Sequence, residues 1–177
     1  MLAGSFSRAE VTVGYHHVNI KLYQLEWTNP PRAKTLELGI QDKYESEESG
    51  WQVSCIAQIC TQSFSLLPCI TELDILDDPF FSDLIDFEAL MDVREWLELF
   101  HPFIAVRILR FSGELQSHVV SSLQELTMES VMEVLPALQS IYIRKYSGDE
   151  YHDEQQSIEL FFAQCQHSGH SVSLQLT

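Results

Sequence analysis

The residues best suited to metal chemistry are one cysteine and two histidines near the C-terminal end of the sequence. Cys165, His167 and His170 follow the spacing Cys-x-His-x-x-His, and thiolate and imidazole groups are good zinc ligands. The cluster supplies three ligands at most. The competing interpretation is a helix end with one buried cysteine and two exposed histidines, so a small enzyme or metal-binding protein using this cluster is the alternative hypothesis.

Sequence motifs for other kinds of catalysis are absent. The chain contains no G-x-S-x-G nucleophile turn, and its seven glycines form neither of the common glycine-rich phosphate loops. Cys55, Cys60 and Cys69 lack the C-x-x-C spacing and lie in apolar stretches, where reduced cysteine serves as a small packing residue. The sequence therefore predicts a protein that is not an enzyme and that holds no metal or cofactor.

Composition and charge predict a single domain of 177 residues with a strongly acidic net charge. Apolar residues make up 45% of the chain, which is enough for a sizeable core. The 26 acidic and 10 basic residues give a net charge of −16, which predicts no nucleic-acid partner and no membrane partner, because both present anionic surfaces. The N-terminal residues do not resemble a secretory signal, so we expect a cytoplasmic, or else a nuclear, location.

A repeat of about 34 residues is the main organising feature of the sequence. Five short segments alternate apolar and polar residues like strands, and aligning them gives spacings of 35, 36, 32 and 33 residues. The aligned apolar positions are Leu38, Leu73, Leu109, Ile141 and Leu174. Stretches with helical periodicity precede the last four of these strands, over residues 51–64, 87–100, 115–134 and 153–166.

Strands joined by helical crossovers run parallel, so the repeat predicts an α/β fold with a parallel sheet. Equal spacing favours an irregular, leucine-rich-repeat-like solenoid of helix–strand units over residues 35–177. Residues 1–34 contain two alternating segments, 10–13 and 18–26, which predict an N-terminal hairpin that caps the solenoid. An open doubly wound sheet is the alternative.

Two sequence resemblances agree with this prediction. The pattern Ile70-x-x-Leu73-x-Ile75, repeated around Leu109 and Ile141, resembles the L-x-x-L-x-L core of leucine-rich repeats. Residues 103–177 resemble the repeat regions of F-box-like proteins of mushroom-forming (basidiomycete) fungi, through segments such as Glu133-Val-Leu-Pro-Ala-Leu-Gln139. No F-box segment is visible. The resemblance implies the region that recognises a protein partner, without the part that docks on a ubiquitin ligase.

The predicted binding residues are those that alternate with the apolar strand positions and so lie on the exposed face of the sheet. Tyr and Arg are enriched at the energetic centres of protein interfaces, and both occur in this set. We therefore predict a non-enzymatic protein–protein interaction module, against the alternative of an ordinary polar sheet face without a ligand. The predicted binding residues are Glu72, Asp74, Ile108, Arg110, Tyr142 and Arg144.

Overall fold

The fold is described by a computed structural model, which covers residues 6–14, 17–26, 32–41, 51–63, 67–78, 93–112, 115, 119–120, 123, 134–143, 163 and 172–176. Within these residues the strands are β1 (Arg8–Val13), β2 (His17–Glu26), β3 (Arg32–Gln41), β4 (Glu72–Asp77), β5 (Ile108–Ser112), β6 (Ser140–Ile143) and β7 (Ser173–Leu176). The helices are α1 (Trp51–Ser63) and α2 (Val93–Phe100), with a 3-10 turn at Leu67–Cys69.

All seven described strands form one mixed sheet in the order β3-β2-β1-β4-β5-β6-β7. The first three strands form an antiparallel meander, and β1 then pairs in parallel with β4. The remaining neighbours are parallel, and Leu73 is aligned with Leu109, Leu109 with Ile141, and Ile141 with Leu174. Strand β1, the first described strand in the sequence, therefore lies inside the sheet between its antiparallel and parallel halves.

The hydrophobic core lies on one face of the sheet, where the two described helices pack. Alternate strand residues such as Val11, Ile75 and Leu109 are fully buried there. Helix α1 contributes Ile56 to the same core and α2 contributes Trp96 and Phe100, which recur at helical spacing. Burying side chains of this size stabilises a fold by about 1.5–3 kcal/mol each. The burial of this face therefore determines which alternate residues of each strand point toward the core.

A tight turn precedes each of three parallel strands. The amide of Ile70 donates to the carbonyl of Leu67 at 2.9 Å, and equivalent bonds of 3.0 and 3.1 Å end at Val106 and Leu138. The second position of each turn is exposed and holds Pro68, Ile104 or Pro136. Proline suits this position because it cannot continue the preceding helix.

The predicted leucine-rich-repeat-like solenoid is wrong. In a solenoid each unit lies beside the next one in sequence, whereas β3, which carries Leu38, is separated from β4 by β2 and β1. Strand β3 also runs antiparallel to its neighbour, so it cannot be the first unit of a parallel stack. The hairpin of β1 and β2 is likewise not an end cap, since β1 occupies the interior of a mixed α/β sheet.

The last two predicted helices are described only at isolated positions. Leu115, Val119, Val120 and Leu123 are helical and buried, and their spacing places them on one helix face. Residues 87–92 and most of 153–166 lie outside the described residues. Of the helices that the structure describes, none is long and apolar enough to cross a membrane.

Candidate functional site

Five of the six predicted binding residues lie together on the face of the sheet opposite the helices, which we call the open face. Glu72 is aligned with Ile108, while Asp74 is aligned with Arg110 and Arg110 with Tyr142. These five residues, the central patch, therefore occupy three adjacent strands. The sixth, Arg144, lies outside the described residues.

Arg110 is the most connected member of the central patch. Its Nη1 atom donates to Oε2 of Glu72 at 2.8 Å and to Oδ1 of Asp74 at 3.2 Å. The guanidinium lies 5.2 Å from the ring centroid of Tyr142, within the range of a cation–π contact. Burial lowers the pKa of Arg110, but the hydrogen bonds to Glu72 and Asp74 outweigh that effect and raise its pKa, so the side chain stays charged.

Asp74 is a nearly buried carboxylate held between two arginines. Its side chain is 3% exposed, although it belongs to the open face. Nε of Arg8 on β1 donates to Oδ2, and Arg110 on β5 donates to Oδ1. A carboxylate removed from water is costly unless it is paired and hydrogen-bonded, and here both oxygens have a partner.

The Arg8 side of the site repeats the arrangement around Arg110. The guanidinium of Arg8 lies 5.4 Å from the ring centroid of Tyr23, and its Nη2 atom is 4.0 Å from a carboxylate oxygen of Glu10. The Tyr23 hydroxyl donates to Glu10 at 3.2 Å. Burial, followed by the charge of Glu10, raises the pKa of Tyr23. Asp74 is thus flanked on each side by an arginine and a tyrosine.

The same row of side chains continues toward the β3 edge with opposite charges next to each other. Lys21 is 3.4 Å from Glu37, whose carboxylate also accepts a hydrogen bond of 2.6 Å from Asn19. Counting the described strand residues of the open face gives three basic and four acidic side chains, a balance of 3 − 4 = −1. They are Arg8, Lys21 and Arg110 against Glu10, Glu37, Glu72 and Asp74. This face is nearly neutral on a chain of net charge −16.

The chemistry available to this site is that of contact and hydrogen bonding. Ile108 and Tyr142 are half-buried and offer apolar surface, and the charged groups between them are held in place by one another. Among the residues that the structure describes, no group of three or more His, Cys, Asp and Glu side chains could hold a metal ion. The open face therefore presents a pre-ordered polar surface with an aromatic ring near each arginine.

The sequence did not indicate Arg8 and Tyr23 as part of the site. Their alternation with Ala9 and Leu22 places them opposite the core, which is a usable signal. The alternation does not predict that β1 pairs with β4, and it is this pairing that brings Arg8 to Asp74, 66 residues away in the sequence.

A second polar cluster lies where β1 and β4 end. Nε2 of His17 is 3.2 Å from a carboxylate oxygen of Asp78, and the Asp78 amide donates to the carbonyl of Val13 at 3.0 Å. Gly14 lies directly against this histidine, because a Cβ atom there would overlap the imidazole ring. The cluster joins the β1–β2 turn to the end of β4.

The predicted metal cluster of Cys165, His167 and His170 lies outside the described residues. Of the other cysteines, Cys60 is buried, Cys55 is half-buried and Cys69 is exposed, and all three are free thiols. Burial raises the pKa of the Cys60 thiol to about 12.

Comparison with known proteins gives distant structural neighbours. A scan against protein-family models finds no match, and a search of curated proteins finds none either. Among solved structures, RuvC of Thermus thermophilus is similar over 92% of this chain and 96% of its own, with 12% identity and a TM-score of 0.37. T. thermophilus RuvC in complex with a Holliday junction substrate covers the same shares, with 14% identity and a TM-score of 0.34.

Two exclusions predicted from the sequence are corrected by these neighbours. Missing motifs predicted that the chain is not an enzyme, and its charge predicted no nucleic-acid partner, yet the second neighbour is bound to a Holliday junction substrate. Both exclusions are withdrawn, because they rest only on properties of the linear chain. A fold can assemble reactive groups without a linear motif, and a net charge of −16 does not set the charge of one face, as the nearly neutral open face shows. At TM-scores below 0.4 the likeness assigns neither activity to this chain.

Proposed function

We propose that this chain is a protein-binding module whose contact surface is the open face of the sheet, centred on Arg110 and Tyr142. The observation that carries the proposal is the arrangement Tyr23–Arg8–Asp74–Arg110–Tyr142, which crosses five adjacent strands. Tyr and Arg are the residue types that contribute most of the free energy of binding in protein interfaces.

The pairing within the patch supports binding by lowering its entropic cost. Ordering a flexible arginine at an interface costs about 0.5–1.5 kcal/mol in lost rotamer freedom. Arg110 is already held by Glu72, Asp74 and the Tyr142 ring before any partner arrives. The patch can therefore bind with most of its polar groups in place.

The charge balance supports the same proposal. An acidic chain repels acidic partners over its whole surface, but the open face carries a balance of only −1 among its described strand residues. A partner surface of mixed charge with apolar or aromatic groups would suit this face. The resemblance of residues 103–177 to the recognition regions of fungal F-box-like proteins stays a prediction, and it implies a partner of the same kind.

Peptide selection can test the proposal without a known partner. A random-peptide display library is selected against the immobilised wild-type chain, and the affinities of the enriched peptides are then measured for variants. We expect Tyr142→Ala to weaken binding at least tenfold, since hot-spot truncations cost more than about 1.4 kcal/mol. The matched control is Ile104→Ala, which truncates an exposed side chain at a turn outside the open face.

Three outcomes would overturn the proposal. One is that no peptide is enriched, and another is that enriched peptides bind Tyr142→Ala and wild type equally. The third uses a labelled four-way DNA junction in the same assay. If the wild-type chain binds the junction but no peptide, and Tyr142→Ala abolishes junction binding, the open face would be assigned to a nucleic acid.

A further inference from the structure

Strand β3 is an unusually open sheet edge. It pairs with β2 over ten consecutive residue pairs without a bulge, and no described strand lies on its other side. Edge strands are normally protected by shortness, proline, bulges or covering segments, because their free amide and carbonyl groups can pair with another strand. Residues 32–41 contain no proline, and Thr35, Leu36, Glu37, Gly39 and Gln41 are all exposed.

The apolar side chains of β3 form a row that the rest of the described core covers incompletely. Leu36, Leu38 and Ile40 are aligned with the buried residues Leu22, Ile20 and Val18 of β2. Leu38 and Ile40 are half-buried, but Leu36 is 43% exposed and is one of two exposed large hydrophobic residues among those described. The core face of the sheet therefore continues to this edge and would gain cover from a further strand.

We propose that β3 pairs with β3 of a second copy of this chain, in a two-fold antiparallel dimer centred on Leu38. In that register Leu38 faces Leu38 of the partner subunit, and Leu36 faces Ile40 of the partner subunit. The apolar row of one copy then meets the apolar row of the other. Opposed residues on an antiparallel pair share a face, so a register shifted by one residue would set the apolar row against the polar one.

The polar side of β3 is compatible with the same register. Thr35 faces Gln41 of the partner subunit, and Glu37 faces Gly39 of the partner subunit, so no like charges are opposed. Centring the pair on Glu37 would oppose two carboxylates, which is destabilising. The opposite edge offers much less, because β7 has four residues where β3 has ten.

Oligomeric state across a concentration series tests the proposal. Light scattering with size-exclusion chromatography should give a mass that rises from 20.3 kDa toward twice that value. Leu36→Lys should weaken the dimer at least tenfold, because it places a charge in the new apolar row. Ile104→Lys changes the other exposed large hydrophobic residue in the same way and should leave the dimer intact.

Disulfide trapping tests the register itself. In a Cys69→Ser background, Leu38→Cys should form a 38–38 disulfide on oxidation faster than Leu36→Cys forms a 36–36 disulfide, since cross-strand neighbours lie within disulfide range. Peptide mass spectrometry assigns the link. A chain that stays monomeric, a dimer that Leu36→Lys leaves intact, open-ended polymers, or faster trapping at position 36 would each overturn the proposal. None of these outcomes bears on peptide binding at the open face.

Discussion

Arg110 and Asp74 are aligned across β4 and β5, and the 3.2 Å hydrogen bond between them holds a carboxylate that is 3% exposed. The second partner of that carboxylate, Arg8, comes from the other side of β4. Asp74 therefore links three adjacent strands through its side chain as well as its backbone. The central patch therefore stabilises the fold and is also a candidate contact surface.

Arg110→Ala is expected to lower the free energy of unfolding by about 1–3 kcal/mol, because it leaves a buried acceptor without one of its donors. Denaturant unfolding of both proteins measures the difference. Arg107→Ala removes an exposed arginine just before the same strand and should change stability by less than about 0.5 kcal/mol. The double variant Asp74→Ala/Arg110→Ala should lose less than the two single variants combined. Equal stability of Arg110→Ala and wild type would contradict the structure.

Leu109→Asp is expected to abolish cooperative folding or to cost several kcal/mol of a total of about 5–15, because Leu109 is fully buried between Leu73 and Ile141. Circular dichroism during thermal unfolding gives the readout. Ile104→Asp introduces the same carboxylate at a 49% exposed position four residues before β5 begins, and it should unfold like wild type. A soluble, cooperatively folded Leu109→Asp protein would show that the core is misassigned.

Cys60 and Cys69 should differ sharply in thiol reactivity. The pKa of Cys60 is raised to about 12 by burial, so roughly one thiol in ten thousand is ionised at pH 8, whereas Cys69 is exposed. Alkylation of the native protein, mapped by peptide mass spectrometry, should label Cys69 first. Because burial raises the pKa of Cys60, the folded state favours the protonated thiol. The stabilising effect is fully present below the ordinary thiol pKa and is lost as the pH rises toward about 12. Rapid labelling of Cys60 without unfolding would contradict its burial.

Glu37 should titrate below an ordinary glutamate, because the hydrogen bond from Asn19 lowers its pKa, with a further contribution from Lys21. Carbon-detected NMR titration measures this directly. Asn19→Ala should move the pKa of Glu37 back toward its usual value. Since the pKa is lowered, the stabilising effect is present above the usual pKa and disappears as the pH falls through the lowered one. An unchanged Glu37 titration in Asn19→Ala would remove the role assigned to that hydrogen bond.

The sequence located the parallel half of the sheet better than the antiparallel half. Alternation around Leu73, Leu109 and Ile141 marks three strands, and the helix-length segments between them require parallel crossovers. The segment around Leu38 has the same alternation but belongs to a meander, because the chain between β2 and β3 is too short for a crossover. Spacing alone does not distinguish these cases, so the regular repeat led to the wrong fold class.

The sequence predicted the site residues only on strands that are neighbours both in the sequence and in the sheet, which are β4, β5 and β6. Glu72, Asp74, Arg110 and Tyr142 follow from alternation on β4, β5 and β6. Arg8 does not, because no linear pattern states that β1 is inserted beside β4.

The interior position of β1 has a consequence for how the chain reaches its native state. Of the described strands, β1 is synthesised before the others, and its neighbour β4 follows only after about 60 further residues. The edge of β1 that pairs with β4 therefore cannot form its parallel ladder until those residues have been made. Pairing across such a sequence distance slows folding, because loop-closure entropy is lost before the contacts form. Deleting residues 1–14 would divide the single sheet into a two-stranded hairpin and a four-stranded remnant, each with a newly unsatisfied margin.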